Sequence, residues 1–224
     1  MADKTIFISG CETGLGRSSA LLFAQRGWRV LQQRSVIAPE EISNAARRSI
    51  DAGPVDIVFN TGYQLAGSLE SMSDLELVRI FETNLLGVIR TTRAFLPYFR
   101  ERRRGLFIAA SSIGGLAARR LISIYRGTSW GIESWSDSMA RELFELGIGI
   151  KTIVPARLAD HPTSDEVAAV AYEAATDGKN QRRYLVGEDA TTRHTQWLSL
   201  GFEAFRIEVG ARSTEMIRRR TVRH

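Results

Sequence analysis

Short apolar runs alternate along this chain with longer stretches in which apolar positions recur every three or four residues, the signatures of strands and of amphipathic helices. Residues 5–9 predict a first strand ending at Gly10, and residues 17–26 a helix stopped by Gly27. A second strand is expected over 28–32. Pro39-Glu40-Glu41 then opens a helix that Gly53-Pro54 closes, since a proline and acids suit a first helical turn. A strand over 55–59 follows. Ser73 and Glu76 form a capping box for a long helix through Leu75, Val78, Ile80, Phe81, Leu85 and Ile89, expected to end near Pro97. The pattern continues with a strand over 106–110, a helix from Tyr125 to Leu146 stopped by Gly147, and a strand over 148–154 halted by Pro155. Ser164 is expected to cap a helix over 165–175, and residues 183–186 make a last strand. Strands and helices in this alternation imply an α/β fold with a parallel sheet of about six strands, covered on both faces. No repeat or low-complexity stretch interrupts it, so residues 1–224 are expected to form a single domain whose segment 189–224 is a partly helical C-terminal tail.

Composition narrows the class. The chain is 44% hydrophobic and 25% charged with 5 prolines, which is globular rather than disordered. Its apolar runs, such as 85–89, are far short of a membrane span, and no signal peptide is expected before the first strand. Cys11 is the single cysteine, which rules out an intrachain disulfide and favours a reducing, cytoplasmic setting. The 30 basic residues comprise three lysines and 27 arginines, for a net charge of +5. Their clusters, at Arg100 and Arg102–Arg104, Arg119-Arg120, Arg182-Arg183 and Arg218–Arg220, fall at element ends or in the tail without interleaved aromatics. They read as solvated ends, and a nucleic-acid partner is not expected. No metal site is expected either.

Chemistry concentrates after the first strand. Gly10-Cys11-Glu12-Thr13-Gly14-Leu15-Gly16 joins that strand to a helix, where absent side chains admit a pyrophosphate to the free N–H groups of the helix start. The spacing is G-x-x-x-G-x-G. With it come Asn60-Thr61-Gly62 after the third strand, Thr83-Asn84-Leu85-Leu86-Gly87 in the long helix, Ser112 ending Ala110-Ser111-Ser112, and Tyr125 thirteen residues later. In these motifs and their order, over about residues 4–188, the chain resembles the short-chain dehydrogenase/reductase family.

The resemblance implies a Rossmann-type doubly wound sheet and a nicotinamide cofactor held by Gly10, Thr13, Gly14, Leu15, Gly16, Arg34, Asn60, Gly62 and Pro155. It implies Tyr125 as proton donor or base, Ser112 as hydrogen-bond donor to the reacting oxygen, and Asn84 as holder of a water in the proton path. It also implies a homodimer, with Trp130, Trp135 and Phe144 as apolar contacts, acting on a small-molecule carbonyl or alcohol. NADP is the expected cofactor, with NAD left open: Arg34 at the end of the second strand suits a 2′-phosphate, while Glu12 opposes it.

Four departures from the family pattern stand out. Ser129 occupies the position of the family's active-site lysine, whose cation tunes a phenol that otherwise titrates near pH 10. Only residues 36–52 separate the second strand from the next, so one helix–strand unit is missing. Ala156-Arg157 follows Pro155 where the family has glycine and then threonine, and the lid before Ser164 is short. Two functional readings follow. One is an NAD(P)-dependent oxidoreductase of reduced power; the other is a non-catalytic relative acting as a dinucleotide sensor or interaction subunit.

Overall fold

A computed structural model describes residues 4–115, 120–156, 162–201, 203–205 and 207–208. Its sheet consists of β1 (Thr5–Ser9), β2 (Arg29–Gln33), β3 (Ile57–Asn60), β4 (Gly105–Ala110), β5 (Ile148–Pro155) and β6 (Arg183–Val186). All pairings are parallel, in the order β2-β1-β3-β4-β5-β6. The chain steps outward from β1 to β2 and then crosses back to β3. The direction of winding therefore reverses between β1 and β3, which is where ligands bind in open α/β sheets. With one helix–strand unit absent, β2 is the edge strand, as the short 36–52 connection implies.

Period-two alternation sends successive strand residues to opposite faces. Ile6 and Ile8 of β1 pack with Phe23 of α1 (Gly14–Gln25) and Ala171 of α6 (Ser164–Thr176). Phe7 between them packs on the other face with Ala45 and Ala46 of α2 (Pro39–Asp51) and with Phe95 and Phe99 of α4 (Gly87–Arg102). That second layer is completed by Leu143 of α5 (Ser123–Leu143). Among the described residues the sheet is also flanked by α3 (Asp74–Phe81), before α4, and by α7 (Glu188–Leu200), at the start of the tail. Residues 209–224, including Arg218–Arg220, lie outside the described residues, as does Arg119.

Several local expectations are corrected. The long helix does not end near Pro97: α4 carries that proline in its interior and runs to Arg102. Proline withholds one backbone donor, but Phe95 and Phe99 on either side are fully buried, and their packing outweighs the lost bond. Nor is that helix continuous from Ser73, because a π turn over Glu82–Leu86 separates α3 from α4. The capping box at Ser73 and Glu76 is present as expected. Two starts are earlier than the pattern suggests: α1 begins at Gly14, since glycines carry no periodicity to read, and α5 at Ser123. α5 also tightens into a 3-10 turn over Phe144–Leu146 before Gly147.

The cap of α6 is Thr163 rather than Ser164. Its hydroxyl accepts from the Glu166 N–H at 3.2 Å, and Glu166 returns a bond to the Thr163 N–H. Thr163→Ala is accordingly expected to cost about 1 kcal/mol in chemical denaturation, and Ser164→Ala less than about 0.5 kcal/mol. Equal losses from the two would contradict this assignment.

Candidate active site

The turn between β1 and α1 is held from below. The Gly10 N–H donates to the Gln33 carbonyl at 2.9 Å, and Thr61 Oγ1 donates to the Ser9 carbonyl at 2.7 Å. Gly16 is pressed so closely on this turn that a methyl there would lie 2.0 Å from the Gly10 oxygen. Gly14 takes φ +52°, a conformation side chains resist. Helix α1 starts without a side-chain cap at Thr13 and without an acid in its first turn, so its leading N–H groups stay available. They face a groove of about 750 Å³. The groove runs from Arg34 and Val36 past Gly14 and Gly62 to Pro155 and Ala156. An uncapped helix start at a glycine cradle fits the pyrophosphate of a dinucleotide.

Asn60 is buried and accepts from Ser9 Oγ at 3.1 Å, tying β3 to β1 beneath the turn. Arg34 stands within 3.3 Å of Glu12, an exposed ion pair of small energetic weight. The two residues that were expected to act in opposite senses on a phosphate thus neutralise each other. Burial pushes the Cys11 thiol in this turn above its usual range.

Ser112 and Tyr125 are brought together. Ser112 is fully buried, and its Oγ accepts from the Gly114 N–H at 3.1 Å, leaving the hydroxyl proton free. A methyl on Gly114 would lie 3.2 Å from that Oγ and 3.7 Å from Tyr125 Cε1, so both side chains flank Gly114. Tyr125 is wedged against Ile80 and Ile122. The adjacent Arg126 turns away to donate through Nε to the Gly114 carbonyl.

Asn84 lies inside the π turn, buried. Its Nδ2 donates to the Tyr63 carbonyl at 2.7 Å and its Oδ1 accepts from the Tyr63 N–H at 3.0 Å. The widened turn is what swings this amide inward, a common use of π geometry near functional sites.

Ser129 is buried on α5, and its Oγ donates back to the Tyr125 carbonyl at 3.1 Å; Thr128 Oγ1 donates to the same carbonyl at 2.8 Å. Beside them a cavity of about 20 Å³, the size of one water, is lined by Asn84, Ser111, Tyr125 and Ser129. Lys151, buried on β5, has its Nζ on Asp177 Oδ1 at 2.8 Å, Tyr184 Oη at 3.0 Å and the Ala174 carbonyl at 2.7 Å, away from the groove. The segment after Ala156, residues 157–161, lies outside the described residues, and with it the expectation of a shortened lid.

Residues 33–168, well over half of the chain, match the short chain dehydrogenase family profile. The chain belongs to this family. An oxidoreductase of Schizosaccharomyces pombe is 33% identical over 133 residues, covering 59% of this chain and 56% of that relative. Retinol dehydrogenase 8 of Bos taurus is 28% identical over 183 residues, covering 69% of this chain and 59% of the relative. The chain therefore spans less than two thirds of the curated relatives it matches. A short-chain dehydrogenase from Streptomyces avermitilis superposes with a TM-score of 0.81 at 23% identity over 98% of both chains, a likeness of fold.

Membership explains the order of motifs, and the geometry adds groove residues that pattern reading passed over. Tyr63, Gln64, Arg79 and Thr83 form one wall. Burial raises the Tyr63 phenol above its ordinary range, an effect the Arg79 charge opposes. The available signal was the four-residue spacing of Arg79 and Thr83. Among the described residues no helix is long and apolar enough to cross a membrane.

Proposed function

We propose that the chain is an oxidoreductase that uses a nicotinamide dinucleotide, NADP by preference, to interconvert a small carbonyl and its alcohol. The observation that carries this reading is that Ser112 and Tyr125 both flank Gly114, with Tyr125 lining a small cavity that shares Leu15, Gly62 and Pro155 with the glycine-cradled groove. Gly10, Gly14 and Gly16 let the backbone approach the pyrophosphate, Thr13 and Leu15 flank it, and Asn60 and Gly62 support the ribose side. When bound, the nicotinamide supplies or accepts the hydride. The chain's own residues handle the proton. Ser112 Oγ, with its lone pair already satisfied by Gly114, donates a hydrogen bond to the reacting oxygen and holds it in place. Tyr125 Oη gives that oxygen a proton in reduction and takes one in oxidation. Asn84 clamps the Tyr63 backbone, so it fixes the groove wall next to the helix that carries Tyr125.

The preference for NADP draws support from Arg79, which lines the groove, while Arg34 is paired with Glu12. A homodimer is part of the same proposal, with Trp130 and Phe144 exposed on and after α5. Trp135 is partly buried, packed against the core. Cys11 as the single cysteine suits a reducing compartment such as the cytoplasm.

A second reading, a non-catalytic dinucleotide sensor, is favoured by one specific feature. The Ser129 hydroxyl is spent on its own helix, and Lys151 on Asp177 and Tyr184, so neither serves Tyr125. Titration with NADPH, followed by fluorescence of the four tryptophans, and NADPH consumption with a panel of small aldehydes and ketones separate the readings. The enzyme reading expects saturable binding and turnover, by a species sedimenting at twice 25.0 kDa. Binding without turnover would favour the sensor, and absence of binding would reject both.

A further inference from the structure

We propose that Arg79 of α3 reads a phosphate on the adenosine ribose of the bound dinucleotide, from the helix wall opposite the end of β2. The proposal rests on the dinucleotide reading above and goes beyond it by assigning the discrimination to a residue outside the glycine turn and the β2 end.

Position supports it first. Residues four apart share a helix face, so Arg79 and Thr83 line the groove together, with Gly87 continuing the row past the π turn. The far end of that row is fixed against the loop after β2. A methyl on Gly87 would lie 2.4 Å from Val36 Cγ2, and Arg90, in the next turn, donates to the Ile37 carbonyl at 3.0 Å. The row therefore looks across the end of the groove lined by Arg34, Ser35, Val36 and Ile37. In a doubly wound sheet this is the side on which the end of β2 meets the adenosine ribose. Because one helix–strand unit is missing, β2 is the sheet edge here, and among the described residues no further strand covers this end.

Charge supports it second. The two carboxylates nearest Arg79 along its helix are engaged elsewhere. Glu76 Oε2 accepts from the Ser73 N–H at 2.9 Å and from Ser73 Oγ at 2.8 Å, and Glu82 pairs with Arg90. Arg79 itself is exposed, and among the described residues it makes no hydrogen bond or ion pair; its charge acts on the Tyr63 phenol. Arg34, by contrast, comes with Glu12 at 3.3 Å, so a phosphate approaching the end of β2 meets a neutral pair. Arg79 is the cation of this wall left for a ligand, and a guanidinium suits a phosphomonoester.

The test uses two mononucleotides that differ by that phosphate, adenosine 2′,5′-bisphosphate and 5′-AMP. Their binding is measured by calorimetry on the wild type, Arg79→Gln and Arg34→Gln, with circular dichroism to verify folding. The wild type is expected to bind the bisphosphate more tightly than 5′-AMP. Arg79→Gln should weaken the bisphosphate by about tenfold and change 5′-AMP by less than about twofold, with a smaller loss in Arg34→Gln. A loss confined to Arg34→Gln, or an equal loss of both ligands in Arg79→Gln, would overturn the assignment while leaving the dinucleotide reading intact. Wild-type binding of neither ligand would overturn that reading and this proposal with it.

Discussion

Ser129→Lys is expected to raise carbonyl reduction by a factor on the order of 10² or more, the scale of a well-placed acid–base contribution. The substitution puts an ammonium one helical turn from Tyr125, where it favours the phenolate side of the proton transfer. Serine cannot do this: it is neutral, and its hydroxyl is folded back onto the Tyr125 carbonyl. Space decides whether the longer side chain is tolerated. Ser129 is 4% exposed, and the cavity beside it is about 20 Å³, too small for a lysine chain by itself. That cavity, however, shares Leu15, Gly62 and Pro155 with the large groove, which gives the new side chain a route toward the cofactor ribose. A packing cost of about 1–3 kcal/mol is expected to accompany the gain in rate. Steady-state reduction with NADPH, with Tyr125→Phe added in both backgrounds, measures the effect. The gain should vanish when the phenol is removed. A gain that survives Tyr125→Phe would mean that the lysine acts on dinucleotide binding alone.

The features of the site legible in the sequence are those whose requirements are local. A glycine pressed onto a backbone oxygen, as Gly16 is, admits no other residue, so the turn can be read from its letters. The missing helix–strand unit is equally plain, because residues 36–52 hold one helix and no more. The Ser112–Tyr125 pair was visible only through likeness to a family, since nothing in periodicity says that residues thirteen apart will both flank Gly114. The π turn at Asn84 escaped because apolar spacing on both sides is the same for a continuous helix. Thr163 and Ser164 are adjacent hydroxyls, and which of them caps α6 depends on a single residue of register. Arg79 was passed over for a different reason. A charged residue on an exposed helix reads as solvated, and only the pairing of Glu76 with Ser73 and of Glu82 with Arg90 shows that its neighbours are engaged elsewhere.

Lys151→Met is expected to cost about 3–5 kcal/mol of unfolding free energy at neutral pH, the usual result of removing one partner from a buried ion pair. Lys151 and Asp177 side chains are each 8% exposed, so solvent offers neither a substitute. The ammonium bonds Asp177, the Tyr184 hydroxyl and the Ala174 carbonyl near the C-terminal end of α6, where a cation also meets the favourable end of the helix dipole. Tyr184 in turn donates to Asp177 Oδ2 at 2.6 Å, and burial together with this bond pushes the phenol up. For Asp177 burial works in the raising direction, but the Lys151 and Tyr184 hydrogen bonds prevail and hold the carboxyl at about 2. A carboxyl lowered in the folded state contributes stability above its unfolded pKa near 4, and that contribution is lost as pH falls from there toward 2. Urea denaturation of the wild type should therefore show stability falling across this acid window, and Lys151→Met should flatten that part of the curve. Replacing all three groups together, as Lys151→Met, Asp177→Leu and Tyr184→Phe, is expected to recover much of the loss, because no buried charge is then left without a partner. A single variant that loses less than about 1 kcal/mol would place the pair among solvated surface bridges.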